Sequence, residues 1–285
     1  LHSLETGGRT AKPVSLERFA ARANTLRKTY AYDRPVVEGI EPLLANESFV
    51  EAAKRLYGRP VVQPNIVYAN VILPGQELGV HTDVPEFRGA NRTREPEWLL
   101  VAMHHSGLFE RWRIPIATGV SWYHSCGGGE FFYYPDGSDG PEVTLPARHN
   151  TAILLDTDSV FHGVGLVGRE GEEPADLNPG IELVFDGDER WRVVRDGRTI
   201  AHYRWSEIRL SISWKAYCFA DEAERRVVAE HSDDLTPERV RRTLVADLRE
   251  RGRIGDQVPP DEQLAVLVMR EYIHFPPAIV RDERG

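Results

Sequence analysis

Two imidazoles and a carboxylate stand out first: the triplet His81-Thr82-Asp83 and, far downstream, His162. Two histidines and one carboxylate on one face of a metal leave the opposite positions open, the arrangement of non-heme Fe(II) centres that activate dioxygen. His81 and Asp83 are two apart, so on an extended strand or its fraying end both side chains project to the same face. One short segment can then give two ligands, and the third must come from elsewhere. An arginine on a later strand could then anchor an acidic co-substrate. Arg209 opens the run Arg209-Leu210-Ser211-Ile212-Ser213-Trp214, and its planar fork suits a buried carboxylate.

Taken alone, a His-X-Asp triplet is weak, because a surface turn after Gly79 would carry it equally well. More matches, and in order. Gly128-Gly129-Glu130-Phe131-Phe132-Tyr133-Tyr134-Pro135 reads as a glycine turn, a strand and a second turn. The apolar run 151–156 follows, then Phe161-His162-Gly163-Val164 and the Arg209-X-Ser211 pair. This succession resembles the Fe(II)/2-oxoglutarate-dependent dioxygenases, specifically their prolyl-hydroxylase-like branch, over roughly residues 66–214.

The resemblance implies a double-stranded β-helix (jelly roll, cupin-like) holding Fe(II) through His81, Asp83 and His162. It implies that Arg209 binds the distal carboxylate of 2-oxoglutarate with help from Ser211, and that Tyr123 lies where related enzymes place a tyrosine against that co-substrate. Dioxygen would oxidise an unactivated C–H bond while 2-oxoglutarate becomes succinate and carbon dioxide. Hydroxylation, desaturation, epimerisation and oxidative cyclisation all fit. Retention of Asp83 argues against halogenation, in which related enzymes replace the carboxylate by a small residue.

One departure is visible: 47 positions separate His162 from Arg209, more than in the family. Arg169 is nearer and competes for the anchoring role, but it enters a Gly- and Glu-rich loop, whereas Arg209 starts a β-patterned run. A structural salt bridge is the other reading of Arg209. The extra residues at about 168–207 carry turn signals and are expected to be inserted hairpins that could cover the mouth of the barrel. Tyr68 and Asn70 share a strand face and are weaker pocket candidates. Arg88 and Arg94 could meet an anionic substrate group; a solvated charge cluster is the alternative. His104, His105, His124 and His149 are read as sheet or surface histidines.

These residues need positioning elements. Short β-branched and aromatic runs are expected at 66–73, 78–81, 99–105, 116–124, 130–134, 142–145, 151–156, 160–167, 183–185, 191–195, 199–205 and 208–219. They show no βαβ rhythm, so a jelly roll fits better than a parallel sheet. Alternation along the last run puts Arg209, Ser211 and Ser213 on one face and Leu210, Ile212 and Trp214 on the other. Helices are expected at 15–26 and 47–56, and again at 221–230, 236–251 and 261–272. The reading is one catalytic domain: helical support over 1–63, a β core over 64–219 and helices over 220–285.

Composition narrows the partners. A formal charge of −9 and no concentrated basic surface argue against nucleic acid. No apolar run is long enough to span a bilayer, and the first residues lack a secretory pattern, so a cytoplasmic protein is expected. The first residue is Leu1 and not methionine, which leaves room for an upstream segment. Cys126 and Cys218 form no zinc or disulfide pattern. The expected substrate is a small molecule, such as an amino acid or secondary-metabolite intermediate. A peptidyl hydroxylase of the same superfamily is the nearest rival, and a non-catalytic jelly-roll binding module or cupin-like metalloprotein is the rival from another class.

Overall fold

The computed structural model describes residues 25–169, 172 and 181–277. The described chain runs through strands β1 (Leu26–Tyr32) and β2 (Arg34–Pro35), helices α1 (Glu41–Leu44) and α2 (Glu47–Tyr57), and strands β3 (Val61–Ile72), β4 (Leu78–His81) and β5 (Glu86–Phe87). Helix α3 (Glu97–Ser106) leads to β6 (Arg113–Ile114), β7 (Ile116–Trp122), β8 (Phe131–Tyr133), β9 (Val143–Leu145), β10 (Thr151–Leu155) and β11 (His162–Val164). Three further strands, β12 (Ile181–Gly187), β13 (Arg190–Arg195) and β14 (Arg198–Arg204), precede β15 (Arg209–Phe219) and helices α4 (Glu222–Ala229), α5 (Pro237–Glu250) and α6 (Asp261–Tyr272).

A large sheet in the order β10-β7-β15-β3-β1-β2 faces a small sheet in the order β4-β11-β8-β9. All their pairings are antiparallel. This is a double-stranded β-helix, mainly β with flanking helices, as the strand pattern implied. Alternation along β15 decides what each face of the large sheet does. Ile212, Trp214, Ala216 and Cys218 form a buried cluster with Phe49, Val50, Leu43 and Leu44 of the first two helices. The Trp214 indole donates to the Leu44 carbonyl at 2.8 Å and its ring stacks on Phe49, so these helices seal the outer face. The opposite face of β15 is left to Arg209, Ser211 and Ser213, all buried between the sheets.

A second core joins α3, α5 and α6: Leu100 and Met103 pack with Leu244, Leu248, Leu264 and Val268. Just beyond α6, Ile273 and Phe275 pack on Phe132, Tyr134 and Phe161, behind the strands that carry the two site histidines.

Three expectations need correction. Residues 99–105 are helical, within α3, and not a strand. Glu97 lies in the first turn and Gly107 ends the helix at φ +70°, and the apolar run is buried against other helices. The N-terminal support is not wholly helical: β1 starts at Leu26 and pairs with β3, while most of the expected helix over 15–26 lies outside the described residues. Of the hairpins expected at about 168–207, residues 181–204 form the sheet β12-β13-β14 and none of them lines the cavity, while residues 170, 171 and 173–180 lie outside the described residues. Leu183, Trp191, Val193, Ala201 and Tyr203 pack on Leu26, Val71, Leu73 and Ile208, on the outer side of β3.

Candidate metal centre

His81 ends β4 and His162 begins β11, and the two residues are direct cross-strand partners. Their rings lie 4.4 Å apart. Asp83 follows just beyond the end of β4, where its backbone N–H donates to the Thr157 carbonyl at 2.8 Å. Its Oδ1 is 3.9 Å from both His81 Nε2 and His162 Nε2. Among the described residues this is the one group of three or more His, Cys, Asp or Glu side chains whose ligand atoms converge, all within 4.8 Å of one another.

The donor set suits a transition metal. Each histidine Nδ1 sits 2.8 Å from a carbonyl oxygen two residues earlier, Gly79 for His81 and Val160 for His162. That contact fixes Nδ1 as the donor and leaves the Nε2 lone pair turned to the centre. Burial, with His81 beside it, lowers His162 to about 4, so the ring is neutral at pH 7 and free to ligate. Burial alone would raise the Asp83 carboxyl. The Lys215 ammonium overrides it, with smaller contributions from His162 and His81, and holds the group well below the usual carboxylate range.

A cavity of about 60 Å³ lies between the sheets beside this triad. The large sheet contributes Tyr68, Asn70, Ile72, Thr118 and Val120 together with Arg209, Ser211 and Ser213; Phe131 and Val164 face them from the small sheet. Arg209 is 1% exposed. Its Nε donates to the Gly129 carbonyl at 2.7 Å and its Nη1 to Ser211 Oγ at 3.2 Å. Its Nη2 has no hydrogen-bond partner among the described residues. Burial draws the guanidinium down to about 10, which still leaves it charged at neutral pH. No carboxylate pairs with this cation among the described residues, so the salt-bridge reading of Arg209 finds no support there. Gly129, at φ +68°, makes room for it: a Cβ there would come within 2.7 Å of Arg209 Cδ.

The other expected residues are placed as follows. Arg169 is exposed, and Arg209 is the arginine in the cavity wall. Tyr123 is outside the cavity, 41% exposed, with its hydroxyl 3.3 Å from Ser121 Oγ. Alternation along β7 turns Thr118 and Val120 inward and Ser121 outward, and Tyr123 continues the outward series. The tyrosine that lines the cavity is Tyr68. Arg88 is also outside, held by Asp233 and the Arg111 carbonyl, and Arg94 is exposed in a turn.

Lys215 is the residue that sequence reasoning missed. Its side chain is 5% exposed, and its Nζ donates to Asp83 Oδ2 at 2.7 Å, to Thr118 Oγ1 at 3.0 Å and to Thr157 Oγ1 at 3.5 Å. Burial opposes the ammonium, but Asp83 outweighs burial and raises it above the usual lysine range. The signal was present: Lys215 is the next member of the alternating series 209, 211, 213.

No protein-family model and no curated protein matches the sequence. Solved structures similar to it include a 2OG-Fe(II) oxygenase family oxidoreductase from Burkholderia pseudomallei, at 15% identity over 69% of this chain and 70% of that chain, with a TM-score of 0.38. A prolyl hydroxylase from Trichoplax adhaerens, in complex with a hypoxia inducible factor peptide fragment, is 14% identical over 77% of this chain and 72% of that one, TM-score 0.39. HygX from Streptomyces hygroscopicus, with nickel, 2-oxoglutarate and hygromycin B bound, is 11% identical over 69% and 74%, TM-score 0.36. These likenesses are distant.

Proposed function

We propose that this protein is an Fe(II)- and 2-oxoglutarate-dependent oxygenase that oxidises a C–H bond of a small molecule. The observation that carries the reading is the conjunction, in one cavity, of a converging His81–Asp83–His162 set with a buried guanidinium that has an unspent donor. Neither half alone is specific. Together they provide for a metal and for an acid that reaches from it to a cation.

His81, Asp83 and His162 would hold the iron, which supplies the activation of dioxygen when bound. Arg209 would take one carboxylate of 2-oxoglutarate through its free Nη2, with Ser211 fixing the plane of the guanidinium. The Gly129 carbonyl holds Nε, so the fork cannot swing away. Ile72, Val120, Phe131 and Val164 give the cavity apolar walls that exclude bulk water and strengthen each electrostatic contact inside.

Anaerobic titration of the apoprotein with Fe(II) and 2-oxoglutarate tests this reading. Expected is a visible metal-to-ligand charge-transfer band that is lost in His162→Ala. Well-folded, metal-loaded protein without the band would favour a cupin-like or binding-module role.

A peptide substrate is the second reading, and the position of the inserted sheet favours giving it weight. Because β12, β13 and β14 pack on the outer side of β3, none of their residues narrows the cavity. Turnover on free amino acids compared with proline-containing peptides separates the two; activity confined to peptides would overturn the small-molecule reading.

A further inference from the structure

We propose that Lys215 is a positioning residue that restricts Asp83 to coordination through a single oxygen, and so keeps one metal position open for the co-substrate. The inference rests on the oxygenase reading above. A carboxylate can ligate through one oxygen or two, and an open, half-exposed site does not decide between them. Here the two oxygens are divided. Oδ1 faces both histidine Nε2 atoms at 3.9 Å, and Oδ2 accepts from Lys215 Nζ at 2.7 Å.

The ammonium is itself immobile. All three of its protons have oxygen neighbours, in Asp83, Thr118 and Thr157, and the two threonine hydroxyls are bonded to each other at 2.7 Å. Lys215 does not line the cavity; it stands behind Asp83, whereas Thr118 and Thr157 do line it. It therefore acts on the centre through the carboxylate. Three protein ligands leave an octahedral ion three positions, which a bidentate 2-oxo acid and dioxygen fill. An Asp83 chelating through both oxygens would take one of the three. The charge-assisted bond to Lys215 opposes that rotation, because freeing Oδ2 takes the paired carboxylate from a buried ammonium and leaves it two neutral threonine hydroxyls.

The test uses Mn(II) as the probe, with inner-sphere water counted by solvent-proton relaxation and 2-oxoglutarate binding followed on the Mn(II)-loaded protein. Lys215→Met is expected to lose about one of three exchangeable metal-bound waters and to weaken 2-oxoglutarate binding roughly tenfold, with Mn(II) affinity within about threefold of wild type. Lys215→Arg, which keeps the donor and the charge, is expected to restore most of both signals. If Lys215→Met does not fold, Thr118→Val loosens the ammonium and is expected to shift the same two signals by a smaller factor.

A Lys215→Met or Thr118→Val protein with wild-type water count and 2-oxoglutarate affinity would overturn the proposal. So would parallel loss of Mn(II) and 2-oxoglutarate binding in a folded variant, the signature of a merely structural ion pair. A wild-type protein that binds neither Mn(II) nor 2-oxoglutarate would sink the oxygenase reading, and the clamp with it.

Discussion

Arg209 and Asp158 are both buried ionisable groups, and they illustrate opposite situations. Arg209 has two partners and an unpartnered Nη2 at the cavity wall, so a bound anion would compensate its desolvation. Its position depends on Gly129, which leads to a prediction that spares every ligand. Gly129→Ala adds a Cβ 2.7 Å from Arg209 Cδ at a positive φ, so 2-oxoglutarate affinity should fall more than about tenfold while metal affinity stays unchanged; titration calorimetry with each ligand checks it. Asp158 is fully buried, and neither carboxylate oxygen has a hydrogen-bond partner among the described residues. Burial pushes it up to about 7, Asp156 and Asp83 add to the rise, and Lys215 opposes it. A carboxyl with a raised folded pKa contributes stability below its unfolded value near 3.8, and that contribution is lost as pH rises through 7. Asp158→Asn should therefore stabilise the apoprotein at pH 8, by on the order of 2 kcal/mol, and have little effect at pH 4. Urea unfolding at the two pH values would show it, and equal effects at both would refute it.

At the scale of elements, what was legible depended on whether pattern or tertiary contact decided the outcome. The alternation of β15 separated Arg209, Ser211 and Ser213 from Leu210, Ile212 and Trp214, because one face needed a ligand and the other a helix to cover it. Helix α6 was readable from Asp261 to Tyr272 from its acidic first turn and apolar spacing. The run 99–105 was not, since a short continuous apolar stretch has neither a helical nor a strand period, and burial among α5 and α6 settled it. No local pattern could bring Lys215 to Asp83, 132 positions away; the sheet does that by folding over. The inserted sheet shows the limit of topology as a guide. Its place in the sequence suggested a cover for the cavity, but Trp191, Val193 and Tyr203 found their apolar partners on the outside of β3. Replacing residues 181–204 by a short loop should therefore leave 2-oxoglutarate binding within about threefold of wild type. The melting temperature should fall, because Leu73 and Ile208 lose their cover. A large loss of co-substrate affinity in a folded deletion protein would show that the insertion reaches the cavity after all.

Across the whole molecule, the response to acid is set by buried groups whose shifts oppose one another. Burial holds His104 at about 3 and His105 at about 4, both on α3, where His105 stacks on Phe161 and His104 contacts Ser159. Their folded values lie below the unfolded 6.5, so the unfolded chain binds more protons between about pH 6.5 and 4. Stability carried by these rings is present above pH 6.5 and lost as pH falls through that window, by up to about 1.4 kcal/mol per pH unit for each fully shifted group. Asp158 runs the other way over the same range, so the Asp158→Asn protein should lose stability on acidification more steeply than wild type. Denaturant midpoints between pH 7 and 4.5 check both slopes, and a flat wild-type profile would contradict the assignment of neutral buried histidines.

Strand β15 lies between β7 and β3 and is hydrogen-bonded along both edges. It carries Arg209 at one end and Lys215 six residues on, roughly 20 Å along the backbone. The strand is thus a ruler with both its marks engraved on one rigid bar. Loop variation around the cavity could retune which substrate is admitted, yet it could not alter the gap between the cation proposed to hold the co-substrate and the cation that pairs with Asp83. A one-residue slip of the bar would turn both marks outward together, so register alone would separate a working centre from an empty barrel.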